Sequence, residues 1–205
     1  MRPLHHHVIS ANLNELMPTQ ATIGFLEVAQ KRAQWQALGK KERKLLINSH
    51  WFPSVIGPAQ RYYIVDHHHL GMALHLEGQT SVQLTVLKDL SWLDLPTFWR
   101  VMEFHQWVHP YDQNGERMVF ARLPTNVADL EDDPYRSLAG LARMAGAFAK
   151  DITPFSEFLW ADYFRARLSK KLVKKSPNAV LEQACDLAKH IEASYLPGWV
   201  GKPEA

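Results

Sequence analysis

Four consecutive residues carry the sharpest chemistry in the chain. Asp66-His67-His68-His69 follow a β-rich run, Tyr62-Tyr63-Ile64-Val65, and precede the apolar residues Leu70, Met72, Ala73, Leu74 and Leu76. The change of pattern predicts a strand-to-helix junction. A helix start exposes N–H groups and the positive end of the helix dipole, so it receives anions, phosphate above all. Asp66 is placed to cap such a helix. Histidines there can donate hydrogen bonds to phosphate or exchange protons with a nucleophile or leaving group. Neighbouring side chains on a helix point about 100° apart, so the three histidines cannot all ligate one metal ion. One of them could do so with Asp66 or a distant residue, but no metal ligand set is assigned. The plain alternative is a capped junction with one buried, hydrogen-bonded histidine.

Further candidates lie downstream. Arg136 and Arg143 are seven residues apart, which places them on one helical face. Arginine forks match phosphate oxygens, and Arg61 offers another. Glu157 and Asp162 flank Trp160. A carboxylate beside an indole can act as acid or base, or it pairs with an arginine. Six basic residues from Lys31 to Lys44 face a single acid, Glu42, and six more from Arg165 to Lys175 face none. Each run reads either as a solvated face or as a phosphate-facing surface.

The elements that must position these groups emerge from the patterning. Strands are expected at His5 to Ile9, Pro53 to Ile56, Tyr62 to Val65, Ser81 to Leu87 and Met118 to Leu123. Helices are expected from Ile23 to Gly39, capped by Thr22, and over Lys40 to Asn48. Further helices are expected from Leu70 to Gly78, from Leu93 to Trp107 and from Pro124 to Leu130. The last three are Pro134 to Lys150, Pro154 to Leu168 and Pro177 to Tyr195, with a loose tail from Pro197. The expected architecture is α+β: residues 1–90 with short mixed strands, then a mostly helical 91–205.

Composition narrows the function classes. The 205 residues are 46% hydrophobic and 21% charged, which fits a globular chain. A net charge of +2 is too small to declare a nucleic-acid binder by itself. The single cysteine, Cys185, rules out an intramolecular disulfide and a cysteine zinc cluster. No apolar run is long enough to span a membrane, and Met1 to Ser10 does not read as a secretory signal, so a cytoplasmic location is expected. Walker A, dinucleotide-binding, nucleophile-elbow and H-E-x-x-H motifs are missing from the sequence.

Several longer runs carry a family resemblance. Met17-Pro18-Thr19-Gln20, Glu27-Val28 with Lys31, Phe52 to Pro58 and Tyr62 to Leu70 resemble the ParB-like nuclease family, a divergent branch of the ParB/sulfiredoxin superfamily. Asp133 to Leu138 and Phe155 to Asp162 extend the likeness over most of the chain. The resemblance implies a ParB/sulfiredoxin-like fold. It also implies nucleotide or phosphate binding at the strand-to-helix junction and phosphodiester or phosphoanhydride chemistry. In the superfamily ParB proteins use CTP, sulfiredoxins ATP, and a free-serine kinase ADP. The kinase's Asp-Gly-His-His-Arg motif is similar to Asp66 to Leu70, with His67 in place of the glycine and Leu70 in place of the arginine. The charge lost at Leu70 would then come from Lys31, Arg61 or Arg136. Thr19, Gln20 and Arg143 join them as phosphate-binding candidates, with Asp66, His67, His68, His69 and Glu157 as catalytic ones. The implied partner is a nucleotide or nucleic-acid phosphate, with DNA included and Mg²⁺ arriving with a nucleotide. The helix-turn-helix spacing that ParB uses to read DNA is not recognisable here. The alternative is a binding module without turnover.

Overall fold

The computed structural model describes residues 8–202. Its elements run β1 (Val8–Asn12), β2 (Met17–Pro18), β3 (Thr22–Ile23), α1 (Phe25–Ala37), α2 (Lys40–Ser49), β4 (Phe52–Gly57) and β5 (Arg61–Ile64). They continue with α3 (His68–Leu76), β6 (Ser81–Asp89), α4 (Leu95–Phe104), β7 (Glu131–Asp132), α5 (Pro134–Met144), α6 (Ser156–Arg165), α7 (Lys170–Lys175) and α8 (Leu181–Lys189). The fold is α+β, as expected.

The chain divides into two compact units. The first holds residues up to 21, 28–112 and 117–131; the second holds 22–27, 113–116 and the residues from 132 onward. In the first unit a five-stranded mixed sheet has the order β1-β6-β4-β5-β2. β4 is central, antiparallel to β5 and parallel to β6, with a bulge between Ser54 and Val55. β2 lies parallel to β5 and pairs Met17 with Tyr63 and Pro18 with Ile64. Val55, Tyr63, Phe98, Trp99 and Met102 are all buried in one cluster, so α4 packs with the sheet. The Tyr63 ring lies 4.6 Å from Phe98 and 5.4 Å from Trp99, distances at which aromatic pairs attract beyond their buried area.

The second unit is built around Trp160, which is fully buried, stacked on Phe148 and bonded through its indole N–H to the Pro197 carbonyl. Tyr135 and Tyr163 each bury a ring and give the hydroxyl to a backbone carbonyl, of Leu168 and Leu187 respectively. These bonds satisfy the polar ends that burial would otherwise strand.

Several local expectations are corrected. Thr22 does not cap α1 but sits in β3; the first N–H groups of α1, on Phe25 and Leu26, bond Asp132 Oδ1 and Ser137 Oγ instead. Met118 to Leu123 is not a strand, because only a 3-10 turn forms at Phe120–Arg122. Pro124 opens no helix, and Val127–Asp129 is a single 3-10 turn capped by Asn126. The helix from Pro134 stops at Met144, and Gly146 comes next but one with φ +79°. The segment after Pro197 is held down: the Ala149 N–H bonds the Gly198 carbonyl, and Trp199 pairs with Phe148. His5, His6 and His7 lie outside the described residues.

Candidate active site

The parallel β2–β5 pair decides which residues meet in the first unit. It carries Thr19 to the end of β5, where the chain turns into α3. Thr19 Oγ1 donates to the Ile64 carbonyl at 2.8 Å. The Thr19 backbone N–H donates to His68 Nε2 at 3.2 Å. The Thr19 carbonyl in turn accepts the His109 N–H at 2.8 Å, and Gln20 bridges to His109. Thr19 and Gln20, both expected as phosphate ligands, are buried beside the junction.

The helix begins one residue later than a capping Asp66 requires. His67 occupies the N-cap position in the left-handed region, φ 66°. Its carbonyl accepts the first helical bond, from Gly71. Asp66 is exposed, and its Oδ1 accepts the His67 N–H at 2.6 Å, which fixes the turn without capping the helix. A positive φ favours glycine. The residue that replaces the kinase motif's glycine therefore has the conformation glycine would give it.

The three histidines have separate environments. His68 and His69 are buried; His67 is half-buried and meets Phe52 edge to face at 5.6 Å. Burial pushes His68 down to about 4, against the pull of Asp66 and a bond to the Ile64 backbone. His68 is therefore neutral at pH 7, and Nε2, as acceptor, leaves the ring proton on Nδ1. His67 is also held below the usual histidine range, first by burial and then by His50 and Lys31, with Asp66 opposing. Lys31 on α1 and His50 just after α2 thus both disfavour a positive charge on this imidazole. His50 escapes a sequence reading because nothing local marks it; β4 and β5 intervene before His67.

Arg61 stands at the opposite end of β5 from this junction, about 10 Å along the strand from Ile64 at about 3.3 Å per residue. Its guanidinium reaches the Met17 sulfur at 3.5 Å.

Arg136, Arg143 and Glu157 belong to the second unit. Seven-residue spacing on α5 brings both arginines to one partner: Arg136 and Arg143 each bond the Glu157 carboxylate. Arg136 also lies 3.6 Å from Glu27 and packs over the Phe158 ring. Nearby, Arg165 bonds Asp133 at 2.6 Å and also bonds Asp162. Burial raises the Asp133 carboxyl even with Arg165 beside it, and its Oδ1 caps α5 at the Tyr135 N–H. The Asp133–Leu138 and Phe155–Asp162 runs thus meet as an ion-pair network joining α5 and α6.

Among the described residues no group of three or more His, Cys, Asp or Glu side chains could hold a metal ion. Mg²⁺ is often held by one or two carboxylates plus substrate phosphates, and Asp66 supplies one exposed carboxylate of that kind. Among the described residues no helix is long and apolar enough to cross a membrane.

Comparison with known proteins agrees with this architecture. Residues 9–166 match a family model described as "Putative ParB-like nuclease". No curated protein matches. The crystal structure of protein Atu1540 from Agrobacterium tumefaciens is 42% identical, covers 96% of this chain and 100% of its own, and superposes with a TM-score of 0.88. With most of its length inside the family match, the chain belongs to the ParB-like nuclease family.

Proposed function

We propose that this protein is a cytoplasmic phosphoryl-transfer or phosphate-ester-cleaving enzyme acting on a nucleotide or nucleic-acid phosphate at the Asp66–His69 junction. The observation that carries the reading is His67, a left-handed residue opening α3 with Lys31 and His50 acting on its imidazole. The leading N–H groups of α3 receive phosphate oxygens, as helix starts do. Lys31 adds positive charge where negative charge grows in the transition state. His67, kept neutral chiefly by burial, takes the proton of the attacking oxygen. His68 anchors the junction to Thr19 and moves no proton. The Arg136–Glu157–Arg143 network serves the second unit's fold.

A second reading is a nucleotide- or DNA-binding module without turnover. Leu70, in the place of the kinase motif's arginine, favours it. Turnover separates the two. Purified protein is assayed against ATP, ADP, CTP, GTP and short DNA, with and without Mg²⁺. His67→Ala and Lys31→Ala are each expected to lose turnover at least about 100-fold with an unchanged melting temperature. Full turnover in both variants removes this site. Binding without turnover in the wild type selects the module.

A further inference from the structure

We infer that α2 and the groove beside it form a track for a single nucleic-acid strand, leading toward the α3 junction. The direction of the track rests on the proposed site; binding to the track does not.

The helix α2 is unusual in its surroundings. None of its ten residues is buried, and Leu45 is 68% exposed. Lys40, Lys41, Arg43 and Lys44 crowd its first five positions, where the helix dipole already places positive charge. The nearby acid, Glu42, is used up in accepting the Gly39 N–H at 2.7 Å. Arg43 has a structural explanation, since it bonds the Trp35 and Gln36 carbonyls at the end of α1 and lies over the Trp35 ring. Lys40, Lys41 and Lys44 are exposed and make no ion pair with a described residue. Such a sequence costs the isolated helix stability, and an anionic partner offsets that cost.

The groove gives the partner its shape. A cavity of about 740 Å³ opens beside α2, with Lys40 and Lys44 at its side, and amides (Asn48, Gln79, Gln83) and apolar residues (Trp35, Ile47) in its lining; its one carboxylate, Glu77, is paired with Arg32. Its amides offer donors and acceptors to bases and phosphates alike. A lipid surface is flat, whereas this surface is concave and carries amides as well as apolar side chains.

The far end of α2 supplies an aromatic platform. Trp51 is 44% exposed, and its indole N–H is fixed on the Asn48 carbonyl at 2.8 Å. Cations along a backbone path with a fixed, exposed aromatic ring are how proteins hold single strands with little sequence preference. The next residues tie this end of α2 to the junction. His50 acts on His67, and Phe52 touches its ring. A strand lying along α2 from Lys40 to Trp51 thus approaches the helix start where phosphate chemistry is proposed.

The test uses the full chain and a fluorescein-labelled oligothymidylate of about 20 nucleotides, read by anisotropy between about 50 and about 200 mM salt. Lys40→Gln/Lys41→Gln/Lys44→Gln is expected to bind at least about tenfold more weakly, with the slope of log affinity against log salt reduced by about 2. Trp51→Ala is expected to weaken binding about tenfold without changing that slope. The melting temperature of both stays within about 3 °C of wild type, because the altered side chains are exposed or half-exposed. The triple variant keeps wild-type turnover of any mononucleotide substrate, while His67→Ala binds the oligonucleotide like wild type. Undiminished binding by the triple variant overturns the inference even if the α3 site is active. No oligonucleotide binding by wild type also overturns it, as does lysine-dependent binding to phosphatidylserine vesicles in place of the strand. Loss of turnover in His67→Ala with intact strand binding by that variant supports both readings; turnover surviving there removes only the α3 assignment.

Discussion

Thr19 gives its backbone N–H to Nε2 of His68 across 3.2 Å, although 49 residues separate them. The bond joins two of the sequence runs that carry the resemblance in the first unit, and it exists only because β2 runs parallel to β5. It also makes His68 a neutral acceptor at the base of the junction. His68→Ala is therefore expected to cost about 2–3 kcal/mol, through a cavity and a stranded N–H. The melting temperature should fall by about 5–10 °C. Thermal unfolding of the variant checks this, and an unchanged melting temperature removes the anchoring role.

The same burial sets a pH dependence. His68 is at about 4 folded against 6.5 unfolded, so below 6.5 the unfolded chain binds more protons. Its contribution to stability is complete above about pH 6.5 and is lost as pH falls toward 4, in total about 3 kcal/mol. Urea unfolding at pH 7.5, 6, 5 and 4 is expected to show the loss in wild type and a shallower dependence in His68→Gln. Parallel curves would assign the acid sensitivity elsewhere.

His67 combines the imidazole proposed as proton acceptor with a left-handed backbone. His67→Gly and His67→Ala both remove the ring, so both are expected to lose turnover. They differ in the backbone: the glycine variant should be more stable by about 1 kcal/mol, since alanine is strained at φ 66°. Equal stabilities would show that the residue shifts out of the left-handed region once the ring is gone.

Glu157 holds two guanidinium groups in a partly buried setting. Glu157→Gln leaves both short of a counter-charge and is expected to destabilise by about 3 kcal/mol. If Glu157 serves the fold alone, the folded variant keeps wild-type turnover below its melting range. A large fall in turnover with little change in stability would instead make it a catalytic residue.

Gly24 lies against α5, where an added Cβ would come within 2.9 Å of the Ser137 backbone. Backbone cannot swing aside as a flexible side chain does. Gly24→Ala is expected to cost at least about 2 kcal/mol and to weaken the Ser137 cap on Leu26. Hydrogen exchange at the Leu26 amide checks the second effect.

The strands from Phe52 to Asp89, α2 and the start of α3 can be read from patterning, because alternation and helical periodicity are local properties. The Asp66–His69 junction is legible for the same reason. Its neighbours are not. Thr22 reads as a helix cap because a threonine before an apolar stripe usually is one, yet Asp132 and Ser137 supply that cap from more than a hundred residues away. Pro124 reads as a helix start, but residues 125–130 form only one 3-10 turn, at Val127–Asp129. His50 and Lys31 act on His67 from separate elements of the chain. The sequence by itself determined the secondary-structure class, the strand-to-helix junction at Asp66–His69 and the paired arginines on α5. Only the tertiary structure decided that His67 opens the helix, that His68 is spent on Thr19 and that Glu157 binds both arginines. Burial, strand register and the pairing of distant charges arise between elements, so no local pattern records them.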